Sequence, residues 1–128
     1  METTDLQTCR IEEAGIWTWS IESDLVFADT AVAKLFGIDQ EETLHGLPVE
    51  RFLTRIHVSD RPRIARKLSQ AIIGGQPYRE EYRVEDYRGT IRWVMAHGRC
   101  FRDRSGNPVQ YAGIVHPIEY PPNLEVTT

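Results

Sequence analysis

The sequence predicts an α+β domain in which a five-stranded antiparallel sheet carries several short helices and one longer helix on one face. Two short segments near residues 16–28 alternate polar and apolar side chains, as strands do. Residues 29–75 instead repeat apolar side chains at helical spacing between aspartate and glycine residues. Three more alternating segments follow, separated by turns rich in glycine, asparagine and proline. This order indicates a strand pair, a group of helices and a three-stranded meander.

Aspartate and glycine residues mark the ends of the short helices. Asp29 and Asp39 are expected to cap two helices that end at Gly37 and Gly46. A carboxylate accepts a hydrogen bond from the free N–H groups of a helix start, and glycine adopts the left-handed conformation that often follows a helix end. A third short helix is expected near residues 49–56, after a proline.

The longest helix is expected from Asp60 to Gly74. Asp60 has the position of a capping residue, and Pro62 is tolerated in the first turn because the N–H group it lacks has no partner there. Its apolar side chains recur at helical spacing: Ile64, Leu68, Ala71 and Ile72.

The three strands of the meander are expected near residues 78–85, 90–103 and 109–118. One face of the first carries Tyr78, Glu80, Tyr82 and Val84. Acidic and basic side chains are interleaved along the first two strands. We expect cross-strand ion pairs there, and Glu81 with Arg83 or Arg92 is expected to help fix the register of the hairpin.

Composition excludes several classes of protein. The chain has 128 residues, 41% hydrophobic and 27% charged, with a net charge of −4, which fits one globular domain and argues against disorder. An acidic balance argues against binding to nucleic acid, and no apolar stretch is long enough to cross a membrane. The polar start lacks the features of a secretory signal. Two distant cysteines, Cys9 and Cys100, are expected as reduced thiols in a cytoplasmic protein.

The expected organisation is one domain with two short flanking segments. Residues 1–14 read as an amphipathic N-terminal cap, residues 15–118 as the domain and residues 119–128 as a flexible tail.

Six motifs in this order resemble those of a PAS domain, the small sensory module of bacterial signalling proteins. The resemblance runs from about residue 15 to residue 115, and its strongest matches are the stretches G-I-W-T-W-S-I, L-F-G, I-H-V-S-D-R, Y-R-E-E-Y-R, R-G-T-I-R-W-V and the turn from Asp103 to Pro108. It implies the PAS fold, in which a ligand lies between the sheet and the short helices.

The chain also departs from the family pattern. Family members usually end in an Asp-Ile-Thr motif that leads into a helical linker, whereas Pro117 and Glu119 stand at the matching positions here, followed by Pro121 and Pro122. Proline blocks a continuing helix, so signalling through a surface in trans is expected instead. The cysteine motif of the blue-light photosensory subclass is missing, so covalent flavin photochemistry is not expected.

The resemblance assigns eight side chains to the inward-facing ligand pocket: Trp19, Phe27, Phe36, Phe52, Ile56, Tyr82, Trp93 and His97. The favoured interpretation is a filled core without a cofactor, and flavin and haem are the alternatives. His57 is a weak candidate for a haem ligand, while His45 and His116 are expected at the surface. The sequence contains no metal-ligand spacing and no motif of a nucleophilic or phosphate-binding enzyme.

The leading functional hypothesis is a stand-alone, non-enzymatic sensory module in signal transduction. It would act through a signalling partner protein or as a homodimer, with residues 1–14 and the outer sheet face as contact surfaces. One alternative is the excised sensor of a histidine kinase or of a cyclic-di-nucleotide enzyme. Others are a small cavity-bearing enzyme or carrier with His97 as its base, and a structural adaptor with a filled core.

Overall fold

A computed structural model describes residues 11–119. It begins with a single 3-10 turn, Ile11–Glu13. The five strands are β1 (Gly15–Ser20), β2 (Leu25–Ala28), β3 (Tyr78–Glu85), β4 (Ile91–Arg102) and β5 (Pro108–Pro117). The four helices lie between β2 and β3: α1 (Thr30–Phe36), α2 (Gln40–His45), α3 (Val49–Leu53) and α4 (Arg61–Gly74).

The strands form one antiparallel sheet in the order β2-β1-β5-β4-β3. The first and last strands of the chain, β1 and β5, therefore pair with each other in the middle of the sheet, with Ile16 opposite Ile114. The predicted α+β fold with a five-stranded antiparallel sheet and four helices is confirmed.

The hydrophobic core lies between the helices and the inner face of the sheet. Alternation along the strands turns Trp19, Tyr82, Val94, Tyr111 and Val115 towards this core, and each is buried. The helices add the side chains of Val32, Phe36, Phe52 and Ile64.

Helix α1 begins and ends at the predicted capping residues, Asp29 and Gly37. The Asp29 carboxylate accepts a hydrogen bond from the Val32 N–H at 3.1 Å, and Gly37 adopts a left-handed conformation with φ of 66°. The third helix is shorter than predicted, because it ends at Leu53 rather than near residue 56. Ile56 instead forms a β-bridge with Val84, so the chain has already left the helix to reach the sheet.

The residues before α4 cover the free edge of β3. The His57 N–H donates to the Arg83 carbonyl at 2.8 Å, and the Arg83 N–H donates to the Asp60 carboxylate at 3.0 Å. The prediction that the Asp60 side chain caps α4 is wrong, because it makes no capping hydrogen bond. Its carboxylate instead accepts a hydrogen bond from the backbone of the edge strand β3, whose outer N–H and C=O groups have no neighbouring strand to pair with.

Arg83 and Arg92, the predicted partners of Glu81, form their shortest ion pairs with carboxylates outside the β3–β4 hairpin. Arg83 binds Asp60, and Arg92 binds the Glu13 carboxylate at 2.9 Å. Both arginines therefore tie the sheet to other segments, and a role of Glu81 in the register of the hairpin stays a prediction.

Residues 1–10 of the predicted cap and residues 120–128 of the predicted tail lie outside the described residues. The division of the chain at these points stays a prediction. Within residues 11–119 no helix is both long and apolar enough to cross a membrane.

Candidate functional site

A cavity of about 80 Å³ lies between the inner face of the sheet and helices α1, α3 and α4. Fifteen side chains from eight elements or their ends line it: Trp17, Trp19, Val26, Val32, Phe36, Val49, Phe52, Leu53, Ile56, Ile64, Leu68, Tyr78, Tyr82, Ala96 and Val115. None is charged, and the tyrosines and tryptophans provide the polar side-chain atoms. A concave, largely apolar space with few polar groups is the general form of a small-molecule site.

Aromatic rings form one wall of the cavity. Phe36, at the end of α1, packs edge-to-face on Phe52 of α3 with ring centroids 5.5 Å apart. The same ring lies 6.3 Å from Tyr82 of β3. These contacts join two helices to the sheet, so the shape of the cavity depends on how α1 and α3 sit on β3.

Five of the eight predicted pocket residues line this cavity: Trp19, Phe36, Phe52, Ile56 and Tyr82. All five are buried. Whether they bind a cofactor or ligand stays a proposal.

The predicted inward orientation is wrong for Phe27, Trp93 and His97. Phe27 is 39% exposed, because its neighbours Val26 and Ala28 are the residues of β2 that point inward. Trp93 lies on the outer face of β4, where the Arg83 guanidinium sits 5.1 Å from its ring. The space expected for these large rings is taken by small side chains of β4, with Ala96 lining the cavity.

His97 also lies on the outer face, stacked on His116 with ring centroids 5.7 Å apart. Burial, followed by the charges of His116 and Arg79, holds the pKa of His97 below its usual value. The cavity enzyme with His97 as base therefore lacks its base, because this ring is not among the lining side chains. His116 is buried rather than at the surface as predicted.

The other two histidines also lie away from the cavity lining. His57 accepts a hydrogen bond from the Ser59 N–H on its Nδ1 atom. His45 is exposed, as expected, with its Nδ1 atom 2.8 Å from the Glu41 carbonyl.

Sequence reasoning missed several lining residues, although signals for two of them existed. Tyr78 shares the predicted inner face of its strand with Tyr82, and Trp17 shares that of Trp19. Ala96 had no such signal. The local sequence does not show whether the space beside an alanine stays empty or is occupied by a neighbouring side chain.

Two of the lining residues, Tyr78 and Tyr82, carry a hydroxyl group. Burial raises the pKa of both Tyr78 and Tyr82 well above the usual value, so both stay protonated at neutral pH. A protonated tyrosine hydroxyl can donate one hydrogen bond to an acceptor.

The cavity does not fit flavin or haem, the two cofactors that the family resemblance left as alternatives. A cavity of about 150 Å³ holds a single benzene ring, so a space of about 80 Å³ is too small for the three fused rings of flavin or for haem. No cysteine or histidine lines it to bond to flavin or to ligate iron.

Comparison with known proteins agrees with this architecture. Residues 25–115 match the family model described as the PAS fold. A curated relative, a blue-light-activated histidine kinase from Brucella ovis, is 25% identical over 108 residues, which cover 84% of this chain. These residues span only 21% of that kinase, about a fifth of its length.

Two solved structures share the fold. The sensory box histidine kinase/response regulator from Burkholderia thailandensis matches with a TM-score of 0.72 and 22% identity, covering 98% of this chain and 92% of that one. The N-terminal domain of a diguanylate cyclase with a PAS/PAC sensor from Marinobacter aquaeolei matches with a TM-score of 0.71 and 20% identity, covering 80% and 92%.

Proposed function

Because the chain belongs to the PAS family, whose members are sensory modules of signal transduction, we propose that it detects a small neutral molecule in its central cavity. The observation that carries this proposal is the apolar space of about 80 Å³ under the aromatic wall. Protein interiors are packed so closely that few voids exceed one water molecule. A space of this size in the middle of a core is therefore a site that a ligand can fill.

The lining defines the chemistry of the ligand. A charged molecule would lose its hydration without gaining an opposite charge, so the ligand is neutral. The hydroxyls of Tyr78 and Tyr82 favour a molecule with a hydrogen-bond acceptor, such as a carbonyl or ether oxygen. The volume limits it to a few heavy atoms, in the size range from dioxygen to acetone.

The signal leaves the domain through the outer face of the sheet. Ile16 and Ile114, which are directly opposite each other on β1 and β5, are 62% and 42% exposed, and Phe27 is 39% exposed. Neighbouring apolar side chains on a surface favour a protein contact. We expect a second copy of the chain or a signalling partner to bind there, with its affinity changed when the ligand shifts the conformational population.

Two contexts fit this role. In one, the domain acts alone, and in the other it is the sensor segment of a longer histidine kinase or cyclic-di-nucleotide enzyme. A sensory role in either context needs no catalytic activity in this domain, in line with the expected non-enzymatic function.

A titration with neutral probes tests ligand binding. Xenon and acetone should both shift the methyl NMR signals of Ile56, Ile64 and Val115. Ala96→Ile, which fills the cavity, should abolish these shifts, whereas Ala112→Ile on β5, outside the lining, should preserve them. Shifts that are absent in the original chain, or unchanged in Ala96→Ile, would overturn the proposal.

A second variant separates ligand recognition from folding. Tyr82→Phe removes a hydroxyl and retains the ring. It should weaken acetone binding by roughly fivefold or more, as expected for a lost hydrogen bond, and leave xenon binding unchanged. An equal change in acetone and xenon binding would show that the Tyr82 hydroxyl forms no hydrogen bond with the ligand.

Sedimentation measurements test the outer face. Ile114→Glu should abolish self-association or partner binding, whereas Ile73→Glu, at a site on α4 that is 84% exposed, should not. Equal association of the two variants would show that the outer face of the sheet is not the contact surface.

A further inference from the structure

A second and larger cavity lies outside the core, with a volume of about 390 Å³. It is a groove lined by the 3-10 turn, helix α1, the turn between β3 and β4, and the start of β4. Its lining carries charges of both signs, from Glu12, Glu13, Lys34, Asp86, Arg88 and Arg92. None of them lines the central cavity, so the groove is a separate site.

Two cations are positioned on one aromatic ring in this groove. The Lys34 ammonium lies 5.8 Å from the centre of the Tyr87 ring, and the Arg88 guanidinium lies 5.4 Å from it. The backbone helps to fix this arrangement, because the Tyr87 N–H donates to the Lys34 carbonyl at 2.9 Å. Among residues 11–119 no carboxylate forms an ion pair with Lys34.

A buried carboxylate lies beneath the same turn. Asp86 is 2% exposed, and its Oδ1 atom accepts hydrogen bonds from the Arg88 and Thr90 N–H groups, both at 2.9 Å. Its Oδ2 atom is buried and accepts no hydrogen bond from the described residues. A buried charge with a vacant acceptor is costly, and such an atom in a native fold calls for a donor from outside.

The neighbouring arginines do not supply this donor. Arg88 Nη2 is 3.7 Å and Arg92 Nη1 is 4.0 Å from Asp86 Oδ2, both beyond hydrogen-bonding distance. Arg92 is held by both carboxylate oxygens of Glu13, at 2.9 and 3.4 Å. The Arg88 side chain is 59% exposed, so it can turn towards an anion in the groove and leave Oδ2 open to a different donor.

The groove thus offers two cations for an anionic group and, next to them, an acceptor for a charged donor. We propose that it binds a free α-amino acid, with the carboxylate on Lys34 and Arg88 and the ammonium group on Asp86. A charge-assisted hydrogen bond from ammonium to carboxylate satisfies Oδ2, and the exposed ring of Tyr87 provides an apolar surface for the amino-acid side chain. This site does not depend on the central cavity.

Calorimetric and NMR titrations of the full chain test this inference. We expect at least one of the twenty amino acids to bind saturably and to shift the amide signals of Arg88 and Thr90. Acetate and methylammonium, which each carry one of the two charges, should bind at least tenfold more weakly. Equal binding of acetate would indicate an anion site only, and no saturation by any amino acid would show that the groove does not bind this class of ligand. Either result overturns the inference.

Variants locate the binding. The double variant Lys34→Met/Arg88→Met should weaken amino-acid binding roughly tenfold or more. Arg104→Met, an exposed arginine in the β4–β5 turn, is the matched control and should have no effect. Ala96→Ile should also leave this binding unchanged, which distinguishes failure of this site from failure of the central cavity. Equal affinities in the double variant and the control would place the ligand elsewhere.

Discussion

Arg83 and Asp60 form a two-pronged ion pair that joins the edge strand β3 to the start of α4. Arg83 Nε lies 2.9 Å from Asp60 Oδ2, and Nη2 lies 2.7 Å from Oδ1. The Arg83 N–H donates to the same carboxylate, whose side chain is 8% exposed. Because α4 and β3 both line the central cavity, this pair also helps to fix the shape of the proposed ligand site.

Loss of the Asp60 charge should destabilise the domain strongly. Asp60→Asn keeps the shape of the side chain but removes the negative charge that faces the Arg83 guanidinium. We expect a loss of about 3 kcal/mol in the free energy of unfolding, measured by urea denaturation. Glu50→Gln, at an exposed position of α3, is the control and should change stability by less than about 0.5 kcal/mol. Similar losses in both variants would contradict the importance of the pair.

The same pair predicts an acid-sensitive stability. The hydrogen bonds from Arg83 hold the pKa of Asp60 below its usual value, although burial opposes this shift. The folded state therefore binds the proton less readily than the unfolded state, and the contribution is complete above the unfolded pKa of about 3.9. It should decline as the pH falls through the folded pKa. Denaturation at several pH values should show a weaker acid dependence for Asp60→Asn, and identical pH profiles would contradict the assignment.

His97 predicts a second dependence in a higher pH range. Because its pKa is lowered in the folded state, the unfolded state binds a proton more readily, so stability falls as the pH drops below the unfolded value of about 6.5. His97→Gln should reduce the loss of stability between pH 7 and the folded pKa. NMR titration of the imidazole signals would give the pKa directly, and a His97 pKa above 6.5 would contradict this prediction.

Gly113 should tolerate no larger side chain. A Cβ atom there would overlap the His97 carbonyl and lie 2.7 Å from Gly98 Cα, both on the neighbouring strand β4. We expect Gly113→Ala to cost about 3 kcal/mol, because backbone must move to accommodate it. Ala112→Gly, at the adjacent position of β5, is the control and should cost about 1 kcal/mol or less. Thermal unfolding measures both, and equal midpoints would contradict the close approach.

Alternation predicted the inner faces of β1 and β3 but not that of β4. On β1 and β3 the aromatic residues Trp19 and Tyr82 lie on the more apolar face, so the pattern is decisive. Both faces of β4 carry apolar side chains, and the larger ring of Trp93 suggested the wrong one. Small residues face the helices there because Trp17 packs over Gly98, a contact between strands that no local pattern reveals.

The ion pair of Asp60 could not be predicted from the residues near it in the sequence. Its sequence position favours a helix cap, and the helix does begin there. Its partner Arg83 is 23 residues away, and only the folded arrangement of α4 against β3 brings the two together. Long-range partners of this kind, like Glu13 for Arg92, depend on topology rather than on sequence spacing.

A crystal structure determined under xenon pressure would show whether the central cavity accepts a small neutral molecule. We expect a bound xenon atom in the space between Trp19, Tyr82 and Ala96, with little movement of the surrounding side chains. A structure with the core closed over this space and no xenon between these residues would contradict the claim that the domain detects a small neutral molecule there.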